Sequence, residues 1–320
     1  MNAFGRRPLL AGASGLLARP AQAQAQPLRV IVPFAPGGST DVAARLVVPA
    51  LAEALARPVV IENRGGAGGV MGTEAVVGAP ADGATVGLFT VSPAVLNAIM
   101  HRKLPFETRR AVTPVSLVGT MPMLLVVGPH VPARSLAELL DLLRRSPRPL
   151  TYGSAGPGSI NHLSAHLLAM RAGARAEHVP YRGAGLAIPD LIAGNVDFMI
   201  EGIASLAPHA KSGALRGLAV TGEARSPLLP EVPTAMEAGL AEFRILNWFG
   251  SFAPAATPAP VVAALSAGFQ SAVKAPSVTA RLAETGIDAV GSSPAELERF
   301  WDAEFRLWTP VVQAAAVALD

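Results

Sequence analysis

VIVPFAPGGSTDVAARL, residues 30–46, passes from a β-branched apolar run through a proline and two glycines into a stretch of helical residues. The leading run is continuously apolar, as a strand covered on both faces is. The turn Pro36-Gly37-Gly38-Ser39-Thr40-Asp41 joins that strand to a helix, so several backbone N–H groups stand at the positive end of a helix dipole. Such a place attracts an anion. Ser39 or Thr40 is expected to cap the helix, and Asp41 suits its first turn electrostatically. Pro49, further along, is expected to kink the helix.

Two more loops repeat this design. ENRGGAGGVMG (62–72) follows the strand-like PVVIEN and precedes a helix, with glycines at 66, 68 and 72. YGSAGPGSINHL (152–163) leaves another strand, turns on Gly156 and Gly158, and enters a helix with Ser159 as its cap. Ser154 and Ser159 bring hydroxyls, and His162 falls on the first turn, where its ring could donate to a carboxylate. All three loops sit at the carboxyl ends of predicted strands, where open α/β sheets bind ligands.

The surrounding pattern is α/β. RVIVPF, PVVIEN, TVGLFT, MLLVVG, LTYGSA, VDFMI, LRGLAV and WFGSFAP are strand-length runs, mostly continuously apolar, and they alternate with capped helices. Ser135 with Glu138, and Ser293 with Glu296 behind Pro294, are capping boxes. In the last helix Leu297, Trp301, Phe305 and Trp308 form an apolar stripe that should dock on the body. Alternation of this kind implies mainly parallel sheets. The extended VTPVSLVGTMPMLLVVGP (112–129) is long for one strand, and could pass between two lobes while LRGLAVTG returns. Two crossings would make a hinge with a cleft between the lobes.

With 320 residues the chain has room for about two domains. It is 51% hydrophobic and 15% charged, with 31 Gly and 29 Pro dispersed along it, a globular composition rich in tight turns. The net charge of +3 comes without a dense basic run, which argues against nucleic acid as a partner. Absence of cysteine excludes disulfides, thiolate metal sites and cysteine nucleophiles. Residues 1–26 read as a signal peptide: Arg6-Arg7, a short apolar core, and AQAQAQ for cleavage after Ala23 or Ala25. The core is too short to span a bilayer, and no later stretch reaches the length a membrane helix needs. A soluble exported protein is expected, by the general or the twin-arginine route.

Other chemistries fit poorly. The second loop has a Gly-x-Gly-x-x-x-Gly spacing instead of the dinucleotide fingerprint, and Asp82 lies in a turn instead of at a strand end. No nucleotide cofactor is expected. Ser154 lacks the glycine two places before it that a nucleophile elbow needs, so an exported serine hydrolase using Ser154 and His162 is the weaker alternative. His162 and His166 are spaced as a zinc pair, yet HLSAH supplies no glutamate and no third ligand is evident, so no metal is expected.

RVIVPFAPGGSTDVAARL, VVIENRGGAGGVMGTEAV, DGATVGLFT, YGSAGPGSINHL, HVPYRGAG, GNVDFMI, LAVTGEARSPLLPEVPTAMEAGL and WFGSFAPAATP occur in that order. Together they resemble the substrate receptors of tripartite tricarboxylate transporters, the Bug family, over about residues 28–308. The resemblance implies a periplasmic binding protein of two lobes, type II-like, that closes on a small carboxylate and delivers it to membrane transporter subunits. It implies that the loops at 35–41 and 154–162 grip the ligand carboxylate through backbone N–H groups, hydroxyls and bridging waters. Carried onto this chain, Gly38, Ser39, Asp41, Ser154, Gly158, Ser159 and His162 are the ligand-binding residues, with Gly68, Gly69, Ser92 and Gly202 lining the rest of the cleft. The expected lobes are 27–122 with 223–320, and 123–222. A monomer that catalyses nothing and binds an organic, amino or aromatic acid is expected; sensing for a signalling partner is a further alternative.

The chain departs from the family where RRAVTPVS replaces an acidic and aromatic pair, at Pro49, and at Glu201. If Glu201 points inward, a second acidic group on the ligand is disfavoured and an amine or amide preferred.

Overall fold

The computed structural model describes residue 1 and residues 26–319, so the signal peptide read over 1–26 lies, apart from its two ends, outside the described residues. β1 (Leu28–Val32) leads into α1 (Ser39–Ala54), then β2 (Val59–Asn63), α2 (Val70–Val77) and β3 (Thr85–Phe89). A π-helical turn over Ser92–Leu96 runs into α3 (Asn97–Met100), followed by α4 (Thr108–Ala111) and the long β4 (Val112–Val127). Next come α5 (Leu136–Arg145), β5 (Leu150–Ser154), α6 (Ile160–Ala172), β6 (Ala176–Pro180) and α7 (Ala184–Ala193). β7 (Phe198–Gly202), α8 (Ile203–Lys211) and β8 (Arg216–Val220) precede a turn-rich segment. The chain ends with β9 (Leu246–Pro254), α9 (Ala259–Lys274), α10 (Pro276–Ala283), β10 (Asp288–Ala289) and α11 (Pro294–Ala315).

The strands run in the order β2-β1-β3-β9-β4-β7-β5-β6, with β8 and β10 also paired to β4. β1 is parallel to β2 and β3, and β5 is parallel to β6 and β7. Around β4 and β9 the pairing is antiparallel. The sheet is therefore mixed, which corrects the expectation of mainly parallel sheets. Helical crossovers build two parallel wings, and the strands that join the wings run against both. Each apolar run singled out in the sequence carries a strand. β6 was not foreseen, because Glu177 and His178 break its apolar character.

β4 is the strand that connects the wings. Its residues 112–122 pair with β9, and Met123–Val127 pair with β7 and β8. At the changeover Thr221 holds three chain segments. Its N–H donates to Met123 O at 2.9 Å, its hydroxyl accepts Met123 N–H at 2.9 Å and donates to Ile245 O, and its carbonyl accepts Ile245 N–H at 3.1 Å. Within the intervening segment Leu229 and Val232 pack with Leu206 and Val220 of the β7–β8 wing.

Three apolar layers result. One cluster covers a face shared by both wings and includes Phe89, Leu125, Phe198, Phe252 and Trp301. The opposite faces carry separate clusters: one beneath α1, α9 and α10 with Leu51 and Phe269, the other beneath α7 and α8 with Leu191 and Leu206. α11 docks as its stripe predicts: Leu297, Trp301 and Trp308 are buried, and Trp301 Nε1 donates to Ala94 O at 2.8 Å. Its start has the full capping box of Ser293 and Glu296. α1 continues unbroken past Pro49 to Ala54.

Candidate functional site

The segments that follow β1, β3, β5 and β6 converge between the two wings with Glu201 of β7 and Asn247 of β9. A small cavity of about 20 Å³ lies there, walled by Gly38, Ser39, Thr40, Thr90, Ser92, Asn161, Glu201 and Asn247 among polar or small residues, and by Phe34, Ala155, Ile160 and Ala184. Three helices start at its edge: α1 after Gly38, α7 after Gly183 and α8 after Gly202, none with a side-chain cap. A glycine N-cap has no side-chain oxygen to offer the first-turn N–H groups, so these helix ends depend on other groups for their partners. Ser39 and Thr40 are the first two helical residues of α1 instead of its cap, which corrects the capping expectation. Because the helix begins one residue earlier, the Ser39 hydroxyl is released for another partner.

That partner is Glu201, at the end of β7. Its Oε1 accepts from the Ser39 hydroxyl at 2.7 Å and from Ser39 N–H at 3.2 Å, and the Ser205 hydroxyl lies 3.4 Å away. Its Oε2 accepts from Asn161 Nδ2. Glu201 is 5% exposed and points inward. It therefore ties α1, in one wing, to α6, in the other.

The remaining predicted residues shape the loops instead of lining the cavity. Asp41 accepts Gly37 N–H at 3.1 Å, Arg45 Nε at 2.8 Å and Asn63 Nδ2 at 3.1 Å. Burial pushes its carboxyl upward, but those donors outweigh burial and hold it below the usual carboxylate range. Ser159 caps α6 through His162 N–H at 3.2 Å and donates to Gly156 O at 2.6 Å. His162 Nδ1 faces Gly158 N–H at 3.4 Å. Ser154 Oγ sits 2.6 Å from His178 Nε2 and accepts Gly156 N–H at 2.9 Å. The Gly37, Ser39, Gly156 and Gly158 amides are thus engaged by the chain's own side chains. Of the predicted set, Gly38, Ser39 and Ser92 reach the cavity wall.

Gly68 closes the second loop against the other wing. At φ +59°, a Cβ there would lie 2.0 Å from Pro157 O, so glycine is required both by conformation and by close approach. Gly69 follows at φ +101° as the N-cap of α2, and Asn97 Nδ2 donates to Gly68 O at 3.1 Å. Gly202 packs under Ser39 Oγ and Met121, where a Cβ would lie 2.3 and 2.0 Å from them. Ser92 Oγ accepts Ile160 N–H at 2.8 Å, a second tie between the wings.

Sequence reasoning did not assign Thr90, Asn161, Asn247 or His178 to the site, and it read Thr40 only as a candidate helix cap. Asn161 stood beside His162 in the same loop and one residue nearer the helix start. Thr90 and Asn247 lie at strand ends next to residues already singled out, but an amide or hydroxyl in an apolar run gives no signal by itself. The Ser154–His178 contact does not make a nucleophile. Ser154 is fully buried, and among the described residues no carboxylate backs the His178 ring, which stacks on Tyr152 and His162 instead. No grouping of three or more acidic or imidazole ligands suited to a metal occurs among the described residues. Nor is any described helix long and apolar enough to cross a membrane.

A doubly winged α/β fold, closed around a cavity that both wings line, is that of a periplasmic solute-binding protein. The chain belongs to the tripartite tricarboxylate transporter family of receptors, whose model matches residues 43–317. It is 36% identical over 296 residues to Protein BugT of Bordetella pertussis, covering 92% of this chain and 91% of that one. MatC of Rhodopseudomonas palustris, solved with bound malate, superposes with a TM-score of 0.85 at 33% identity, covering 89% of this chain and 98% of that one. A second R. palustris protein, solved with adipate, superposes with a TM-score of 0.87 at 34% identity, over 91% and 97% of the two chains.

Proposed function

We propose that this protein captures a small carboxylate between two lobes and presents it to the membrane subunits of a tripartite tricarboxylate transporter, catalysing no reaction. The observation that carries this is the meeting of three uncapped helix starts, α1, α7 and α8, on one cavity shared by both wings. Together they direct helix dipoles toward one ligand, with no lysine or arginine among the described residues of the wall. Two solved relatives of the same fold hold small carboxylates, malate and adipate. Closure follows from contacts that both lobes make to the same ligand.

In this reading one lobe comprises 27–122 with 246–320, and the other 123–222. The 223–245 segment, placed with the first lobe by sequence, travels with the second because Leu229 and Val232 pack there. Gly38, Ser39 and Ser92 contact the ligand. Asp41, Ser154, Gly158, Ser159 and His162 fix the loops that present those contacts, Gly68 and Gly69 close the cleft, and Gly202 leaves room beneath Ser39. Residues 1–26 direct export to the periplasm and are removed, and the mature chain acts as a monomer without cofactor.

A thermal-shift panel of mono-, di- and tricarboxylates, amino acids and aromatic acids tests the reading, with calorimetry on the hits. A ligand that binds only the folded state raises the melting temperature. Saturable binding that leaves the ligand chemically unchanged is expected. A flat response to every acid, or ester turnover abolished by Ser154→Ala, overturns it.

A further inference from the structure

Among the described residues, Glu201 is the one ionisable side chain in the cavity wall. Both of its oxygens accept from groups that can only donate: Oε1 from Ser39 N–H at 3.2 Å and Oε2 from Asn161 Nδ2. Asn161 Nδ2 also donates to Ile200 O at 2.8 Å, which fixes the orientation of that amide. Acceptance at both oxygens is the pattern of a carboxylate. Part of the helix-dipole field is therefore already answered by a charge belonging to the chain.

A ligand carboxylate enters a cavity that holds one negative charge and, among the described residues, has no Lys, Arg or His in its wall to offset another. Each pair of like charges a few ångströms apart in such a setting disfavours binding by on the order of a hundredfold. A dicarboxylate would raise the enclosed charge to three negatives. A ligand with one carboxylate and one ammonium adds no net charge, and its ammonium is attracted by Glu201. An amide adds a donor without the second negative charge.

We infer that Glu201 determines specificity: the ligand carries one carboxylate and a hydrogen-bond donor, an ammonium or amide group, and presents the donor to Glu201. This rests on the receptor reading above and narrows its ligand class. Dicarboxylates, with no donor to offer at neutral pH, are rejected.

The test is calorimetric, on the purified mature chain, with matched pairs: succinate against succinamate and 4-aminobutyrate, adipate against adipamate and 6-aminohexanoate, and the same pairing on any scaffold the thermal panel identifies. The donor-bearing member should bind wild type at least tenfold more tightly than its diacid. Glu201→Gln, which keeps shape and removes the charge, should shrink or invert that preference by tenfold or more. A diacid that binds wild type more tightly, or an unchanged ranking in Glu201→Gln, overturns the inference while leaving the receptor reading intact. If no acid binds either protein, the receptor reading falls with it. Should Glu201→Gln fail to fold, as seen by circular dichroism, the wild-type ranking decides alone.

Discussion

His162 illustrates how far a single residue's role departs from what its position in a loop suggests. Its ring is stacked on His178 at 4.2 Å between centroids and lies 6.3 Å from Tyr152. Burial, with the neighbouring His178 and His166, pushes the imidazole down to about 3, and burial takes His178 to about 4. Both rings are neutral in the folded protein at pH 7. In the unfolded chain each titrates near 6.5. Between those values the unfolded state binds more protons, so stability is full above about pH 6.5 and is lost as the pH falls toward the folded-state values. By pH 5 the His162 term alone should lower unfolding free energy by about 2 kcal/mol. Urea unfolding at pH 7 and pH 5 measures this, and His162→Gln should shrink the difference, His178 keeping its own share; a wild type equally stable at both pH values contradicts it. Asp197 loses its contribution in a lower window. Its burial raises the carboxyl, but Arg148, Thr151 and His130 outweigh that and hold it at about 2.

At the scale of elements, the turn before α1 and the start of α7 touch across the cleft. Ala35 N–H donates to Arg182 O at 3.1 Å, and a Cβ on Gly185 would lie 2.1 Å from Pro36 O. Gly185 lies in the first turn of α7 and has no positive φ, so alanine there is locally favourable. Its cost falls on the contact between wings. Gly185→Ala is expected to keep the helical circular dichroism, weaken ligand binding tenfold or more, and leave a larger radius of gyration by small-angle scattering when ligand is saturating. Unaltered affinity would show that this contact does not govern closure. The turn's strand-glycine-helix grammar was legible in Val30–Leu46. The exchange of the cap from Ser39 to Gly38 was not, because a one-residue shift of a helix start is decided by what the freed hydroxyl meets, here Glu201 from 162 residues away.

For the whole molecule, the connection between wings is the quantity at stake. Thr221 joins Met123 in β4 to Ile245 ahead of β9, and its hydroxyl serves both sides. Thr221→Val keeps the side-chain volume but leaves Met123 N–H and Ile245 O without that partner in a buried setting. A loss of about 1–3 kcal/mol in unfolding free energy is expected. Denaturant melts of the two proteins measure it, and equal midpoints would show that water replaces the hydroxyl at the junction.

The sequence alone determined the α/β alternation, the strands of both wings apart from β6, the docked aromatic stripe of α11 and the three glycine loops at strand ends. Each of these rests on local periodicity or on a turn that few residues allow, so it is written in neighbours along the chain. Tertiary structure decided the antiparallel centre of the sheet, the place of β6 and which side chains wall the cavity. It alone turned Glu201 inward and gave it the donors on α1 and α6. Those outcomes depend on groups brought together from distant segments, where burial without a partner is costly and the pairing that satisfies both sides prevails.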